Sequence, residues 1–188
     1  CYHLFNMLEL EPNQVRSVIQ RMPKYELCYE TAIHNKVQDP LYDVSLYIPI
    51  GNKALIWFTF YQDKNACLVM ELNRERKITR VYLLDHDTFD SSTHIYHGTL
   101  FYATLLIPKN EKNTCQFLLE DILVYCGVGL GGQSFLEKLA IFVQFFDLCD
   151  ARFVLPHIQL LNQREYIVPY DCHHIQYRSS KQILPYVN

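Results

Sequence analysis

No apolar stretch of this chain approaches the roughly 20 residues that a membrane-crossing helix needs, so no membrane association is expected. Glycine (6) and proline (8) are sparse among 188 residues, which excludes collagen-like and proline-rich repeats. An excess of positive charge is missing too. Lys plus Arg number 17 against 20 Asp plus Glu, for a formal charge of −3. A globally basic nucleic-acid footprint is therefore absent and duplex DNA is not an expected partner, although a local nucleotide pocket stays open. The seven cysteines include no C-x-x-C pair and are odd in number, which excludes a zinc ribbon and a secreted disulfide framework. Most of them sit in apolar runs, as Cys126 does after Ile122-Leu-Val-Tyr, so reduced, buried thiols and an intracellular setting, cytoplasm or nucleus, are expected. The first residues, Cys-Tyr-His-Leu-Phe, are neither a signal peptide nor an initiator methionine, and they point to a fragment of a longer product.

What is plentiful is core material. Hydrophobic residues make up 49% of the chain and aromatics 14%, mostly 14 Tyr and 11 Phe. Aromatics suit pleated, half-buried surfaces, so a β-rich composition is read. Glu11-Pro12 followed by Val15, Val18, Ile19 and Met22 predicts a helix over 12–22 that Pro23 ends. Strands are predicted at 41–50, 54–61, 66–72, 77–84, 98–107 and 115–125. The first two are expected to pair as a hairpin about Gly51-Asn52. A helix is expected from Phe135, with Leu136, Leu139, Phe142, Val143 and Phe146 at helical spacing. Extended segments at 154–161, 166–170 and 173–178 complete an α+β chain in which antiparallel sheet dominates and a few helices flank it. Residues 1–24 are read as a helical lead-in and 25–188 as one domain.

Several clusters invite chemistry and are weaker than they look. Gly127-Val-Gly-Leu-Gly-Gly sits between a strand and a helix but lacks the Lys-Ser/Thr pair of a phosphate loop, so it is read as a loop feeding the helix. Cys172-His173-His174 suggests metal, yet neighbours on a strand point to opposite faces and no second cluster with zinc spacing accompanies them; His94 and His97 form a separate pair. The acidic stretch Asp85-His86-Asp87 with Asp90 lacks the glycine and terminal glutamate of a calcium loop. No metal site and no cofactor is expected.

One ordered series carries more. It runs through Ile48-Pro-Ile-Gly51-Asn-Lys53-Ala-Leu-Ile, then Gly98-Thr-Leu-Phe-Tyr102-Ala-Thr104-Leu, then Phe117-Leu-Leu-Glu-Asp121-Ile-Leu-Val-Tyr-Cys-Gly127. The Phe135-x-x-Lys138-Leu139 helix and Tyr170-Asp-Cys-His173-His174-Ile175-Gln-Tyr-Arg178 follow. Over roughly 25–180 this order resembles the nucleotidyltransferase domain of mRNA capping enzymes and ATP-dependent ligases, and more closely the cap-binding domain of the snurportins. The resemblance implies a nucleotidyltransferase fold of the capping-enzyme, ATP-grasp-like type. It also implies that catalysis is lost. The family's lysine nucleophile in K-x-D-G-x-R falls on Ile48 and its acid on Ile50, and only Gly51 and Lys53 remain. The Asp-Gly-Glu motif has become Tyr102-Ala103-Thr104, and the late Glu-Gly motif His173-His174. Lys36-Val-Gln-Asp39-Pro40 has the wrong internal spacing for a substitute lysine motif. An aliphatic side chain cannot replace an amine nucleophile. The chain stops where the family would carry its final lysine motif and its OB domain, so either those parts are absent or the sequence is a fragment.

The functional expectation is a guanylyltransferase-like domain without activity that binds a capped RNA 5′ end or a guanine nucleotide. Trp57, Tyr29 and Tyr186 are its stacking candidates and Lys53, Lys64 and Arg178 its phosphate candidates, with Ile48, Gly51, Tyr102, Thr104, His173 and Ile175 lining the pocket. The alternatives are a protein-interaction scaffold that has lost the pocket, with a protein partner, and a divergent nucleotidyltransferase. Ile175-Gln-Tyr-Arg and Leu184-Pro-Tyr are similar to segments of proteins from large DNA viruses, which would place the chain in a virion or the host-cell cytoplasm, in transcription or capping.

Overall fold

The computed structural model describes residues 7–28, 40–84, 97–106, 116–146, 153–160, 168 and 170–188. Eleven strands and two helices lie among the described residues, and this overturns the expected α+β nucleotidyltransferase architecture. Antiparallel β-sheet dominates. The elements are β1 (Met7–Glu9), α1 (Pro12–Gln20), β2 (Val44–Pro49), β3 (Asn52–Tyr61), β4 (Lys64–Leu72), β5 (Ile78–Leu84), β6 (Thr99–Leu106) and β7 (Gln116–Tyr125). They continue with β8 (Val128–Gly129), α2 (Phe135–Phe146), β9 (Phe153–Val154), β10 (His157–Leu160) and β11 (Cys172–Arg178). The large sheet runs β1-β5-β4-β3-β6-β7-β8, with β9 alone pairing in parallel, on β7. A second sheet runs β10-β2-β11.

The apolar runs of β3, β4, β6 and β7 are long because both faces of the large sheet are covered, so alternation is lost. One face buries Ile56, Phe58, Val69, Phe101, Phe117 and Leu119 against Phe142 and Phe145 of α2. Edge-on and tilted ring pairs knit it, with Phe58 5.4 Å and Phe101 4.6 Å from Phe145 between ring centres. The other face buries Leu55, Trp57, Leu68, Met70, Val81 and Leu100 with Leu10 and Val18. β1 is an edge strand on β5 and α1 carries Val18, so residues 7–22 share the core of the rest. Helix α1 starts as its sequence reads: Pro12 occupies the first turn, and the Glu11 N–H donates to Gln14 Oε1 at 2.8 Å.

Two expected pairings are corrected. β2 and β3 do not form a hairpin. β2 pairs on both sides, with β10 and β11, and the chain changes sheet between Pro49 and Asn52. Gly51 serves that crossing: a Cβ there would stand 2.3 Å from the Leu105 carbonyl oxygen and 2.6 Å from Thr104 Cγ2. The segment expected as one strand at 154–161 is split, β9 joining the large sheet and β10 the small one. The segment expected at 166–170 lies largely outside the described residues, as do the acidic stretch at 85–90, His94, and Lys36 to Asp39. No helix among the described residues is long and apolar enough to cross a membrane.

Candidate functional site

The site starts from an irregularity in β7. Tyr102 faces Asp121 and Ala103 faces Leu119, so Glu120 is the extra residue of a β-bulge. Leu119 and Ile122 on either side both pack toward α2. The bulge thus fits two carboxylates into one interruption of the alternation, which a regular strand would have sent to opposite faces. Glu120 is 1% exposed and Asp121 3%.

Each carboxylate has its own cation. Lys53, at the start of β3, donates to Glu120 Oε1 at 2.5 Å and to Thr104 Oγ1 at 2.6 Å, and Thr104 also bonds Glu120. Lys138, in the first turns of α2, donates to Asp121 Oδ1 at 3.0 Å, and the Ile122 N–H donates to the same oxygen at 2.9 Å. Removing one partner of a buried pair typically costs about 3–5 kcal/mol, because the other charge stays desolvated.

A third cation closes the cluster. Arg178, at the end of β11, is 1% exposed. Its guanidinium donates to the Glu120 carbonyl oxygen at 2.6 Å and to Gln176 Oε1 from Nε (2.8 Å) and Nη2 (2.6 Å). Its flat faces lie 3.8 Å from the Tyr186 ring centre and 4.8 Å from that of Phe135. Burial pushes the Tyr186 hydroxyl well above its ordinary value, so it stays neutral.

Outside this cluster opens a cleft of about 290 Å³. Leu27 and Cys28 form one wall, Ile183 to Tyr186 a second, and Gln133, Phe135 and Lys138 of the α2 start a third. Glu26 stands exposed among its lining residues and Asp121 lies within it. The 183–186 wall is held at several points. Tyr42 Oη donates to the Pro185 carbonyl (3.2 Å), Cys28 Sγ to that of Leu184 (3.8 Å), and Val187 exchanges backbone bonds with Tyr177. Burial, with the Asp121 charge adding to it, raises the Cys28 thiol above its ordinary value. Upstream, the Asp43 carboxylate accepts the Ser180 N–H at 2.7 Å and the Ser180 hydroxyl at 2.5 Å, while the Ser180 carbonyl accepts from Leu136 N–H at 3.0 Å. The strand start, the α2 start and the cleft wall therefore meet at Ser180.

No family model and no curated protein matches the chain.

The structure brings some of the expected site residues together. Tyr186, Arg178 and Tyr102 line a small recess at the inner end of the cleft, beside Glu120 and Asp121. Lys53 and Thr104 lie one layer behind, joined through Glu120. The others stand elsewhere. Trp57 is 4% exposed in the core, with the Arg21 guanidinium 5.1 Å from its ring centre, and is no stacking platform. Ile48 is fully buried on β2 beside Phe135, outside the cleft and its recess. Lys64 faces Tyr61 at the far end of β3, about 27 Å of strand from Lys53. Ile175 faces Tyr47 within the small sheet. His173 is exposed at the opposite end of β11 from Arg178. A bulge there corrects the expectation that the two histidines diverge: their Nδ1 atoms lie 2.9 Å apart. Tyr29 lies outside the described residues. Arg178 is corrected in role, since its guanidinium is enclosed by Gln176, Glu120 and two rings rather than offered to a phosphate. The glycine loop is open: a Cβ at Gly127, Gly129, Gly131 or Gly132 would meet no atom within 4 Å beyond its chain neighbours, and Gly131 lines the cleft. No cluster of three metal-ligating side chains occurs among the described residues.

Sequence reasoning missed Arg76. It lies in the β4–β5 turn at φ +60°, half-buried, and lines the same inner recess as Arg178. Its side chain makes no hydrogen bond or ion pair among the described residues. The available signal was Asn73-Arg-Glu-Arg-Lys77, a turn between two apolar strands that carries three cations.

Proposed function

We propose that this chain is a binding module for the guanine end of a nucleotide or of a capped RNA, and that it performs no transfer chemistry. The observation that carries the reading is the pairing, in one cleft, of an aromatic wall at Tyr186 with the exposed carboxylate of Glu26, while both nearby lysines are ion-paired. The guanine edge presents adjacent N–H donors, and a carboxylate is the acceptor that takes two at once. Leu27, Ile183, Leu184 and Pro185 supply apolar contact to the base faces. At about 290 Å³ the cleft is at the small end of ligand sites, the size of a base with its sugar. Nucleotide transfer through a covalent lysine adduct needs a free amine. Lys53 and Lys138 are held by Glu120 and Asp121, and Ile48 is aliphatic and buried. A capped end would place the module where capped RNA is, in the cytoplasm or nucleus of a cell.

Calorimetric titration of the full chain with GTP, mono- and trimethylated cap analogues and ATP tests this. Guanine ligands should bind, and ATP at least tenfold more weakly. Glu26→Gln, on an exposed side chain, should leave folding intact and narrow that preference by about tenfold, the worth of a charge-assisted hydrogen bond. Absence of binding for every ligand at millimolar concentration would remove the reading and leave the protein-interaction scaffold. Trp57 fluorescence is a poor reporter here, since its ring lies in the core rather than in the cleft.

A further inference from the structure

We infer that the turn between β4 and β5 is a phosphate-contact surface for the single-stranded RNA that leaves the cleft, an inference that rests on the guanine-end reading above. The turn is built as a rigid platform. The Asn73 side-chain oxygen accepts the Glu75 and Lys77 N–H groups at 2.9 Å each, the Asn73 N–H donates to the Lys77 carbonyl at 2.9 Å, and the Arg76 N–H donates to the Asn73 carbonyl at 2.9 Å. Four bonds on one asparagine fix a five-residue tip without a glycine, and Arg76 accepts a left-handed φ of +60° within it.

That conformation places three cations, Arg74, Arg76 and Lys77, on one tip, against a single acid, Glu75. Glu75 pairs with Lys77 at 2.8 Å, both side chains more than 70% exposed, a contact that phosphate can displace at little cost. Arg74 and Arg76 have no side-chain hydrogen bond or ion pair among the described residues. Arg76 reaches inward to the recess shared with Tyr186, Tyr102 and Arg178, whereas Arg74 is exposed on the outer tip. The tip thus borders the recess of about 10 Å³ that shares Leu27, Cys28, Asp121 and Tyr186 with the cleft, with one cation at the recess and two further out. A guanine held in the cleft would put its first phosphates at Arg76 and the following ones at Arg74 and Lys77. Arginine forks suit phosphate oxygens, and such contacts read the backbone rather than the bases.

Fluorescence anisotropy with labelled capped pentanucleotide RNA, uncapped pentanucleotide RNA and a cap analogue without a chain, at 50 and 200 mM salt, tests this. The capped pentanucleotide should bind at least tenfold more tightly than the cap analogue at 50 mM. Its affinity should fall with salt at a log–log slope of about −2, as expected for three phosphate contacts on a single strand. Arg74→Ala/Lys77→Ala should remove the gain and most of the slope while cap-analogue binding stays within twofold. A cap analogue that binds as well as the capped pentanucleotide, with equal slopes, overturns this inference and leaves the cleft reading standing. Equal binding of capped and uncapped RNA, with none of the cap analogue, supports the tip and removes the cleft reading. Binding of none of the three removes both.

Discussion

Arg178 and Arg76 line the same recess and do opposite work. Arg178 is fully buried, its guanidinium bonded to Gln176 and to the Glu120 carbonyl and stacked between Tyr186 and Phe135. Arg76 is half-buried and its side chain has no such partner among the described residues. The first completes a structural cluster; the second brings an unpaired charge to the recess. Residue type and position near a pocket therefore do not distinguish a building residue from a binding one. The count of satisfied donors does.

The largest effect should separate those two arginines. Arg178→Ala strands two buried acceptors, Gln176 Oε1 and the Glu120 carbonyl, at about 1–3 kcal/mol each, and removes the stack beneath Tyr186, for a cost of about 3–5 kcal/mol. For a chain of this size that lowers the melting temperature by roughly 10 °C in a calorimetric scan. Arg76→Ala should leave the melting temperature within about 1–2 °C, as an exposed-side substitution does. Equal destabilisation by the two would break the comparison.

Lys138 sharpens it. Lys138→Met should destabilise by about 3 kcal/mol in urea unfolding, because Asp121 stays buried and charged. Adding Asp121→Asn to that background should restore a large part of the loss, since the uncompensated charge is gone. Full additivity of the two substitutions would mean that they do not act as a pair.

How much of this was legible in the residues differs by element. The two helices and the strands β3 to β7 follow from apolar runs and their breakers, because those signals are local. The hairpin joining β3 and β4 was not read from the sequence, since Gln62 and Asp63 take the positive φ values of its turn without a glycine to announce them. The partner of β2 was not legible: Gly51-Asn52 looks like a hairpin turn, yet β2 pairs with strands more than a hundred positions away. The bulge at Glu120 was hidden for a similar reason, since register is a property of two strands and not of one. Trp57, the only tryptophan, was a stacking candidate, but both sheet faces are covered and its ring packs in the core. Tyr186 and Arg178 were found through a family resemblance, and the stack between them came only with the structure.

A smaller effect concerns the cleft wall. Burial works against the Asp43 carboxylate, but hydrogen bonds from the Ser180 hydroxyl and N–H outweigh it and hold its titration below the ordinary carboxylate value. A lowered folded-state value adds stability that is fully present above the unfolded value, near 4, and is lost as pH falls through the folded one. Wild type should therefore lose more stability between about pH 4 and pH 2 than Asp43→Asn does, while Asp43→Asn should be the less stable at pH 7. Parallel urea titrations at pH 7, 4 and 2.5 read this difference, and identical acid limbs would show that the Ser180 clamp contributes nothing.

The central claim is binding without chemistry, and one experiment addresses both halves. The full chain is dialysed to equilibrium against radiolabelled GTP with magnesium, then denatured in detergent and separated from free nucleotide at neutral pH. The account expects label retained by the native protein, competed by unlabelled GTP more effectively than by ATP, and released entirely on denaturation. No retention would contradict the guanine site. Label that survives denaturation, and that acid then removes as it does a phosphoramide, would contradict the claim that the ion-paired lysines take no part in transfer.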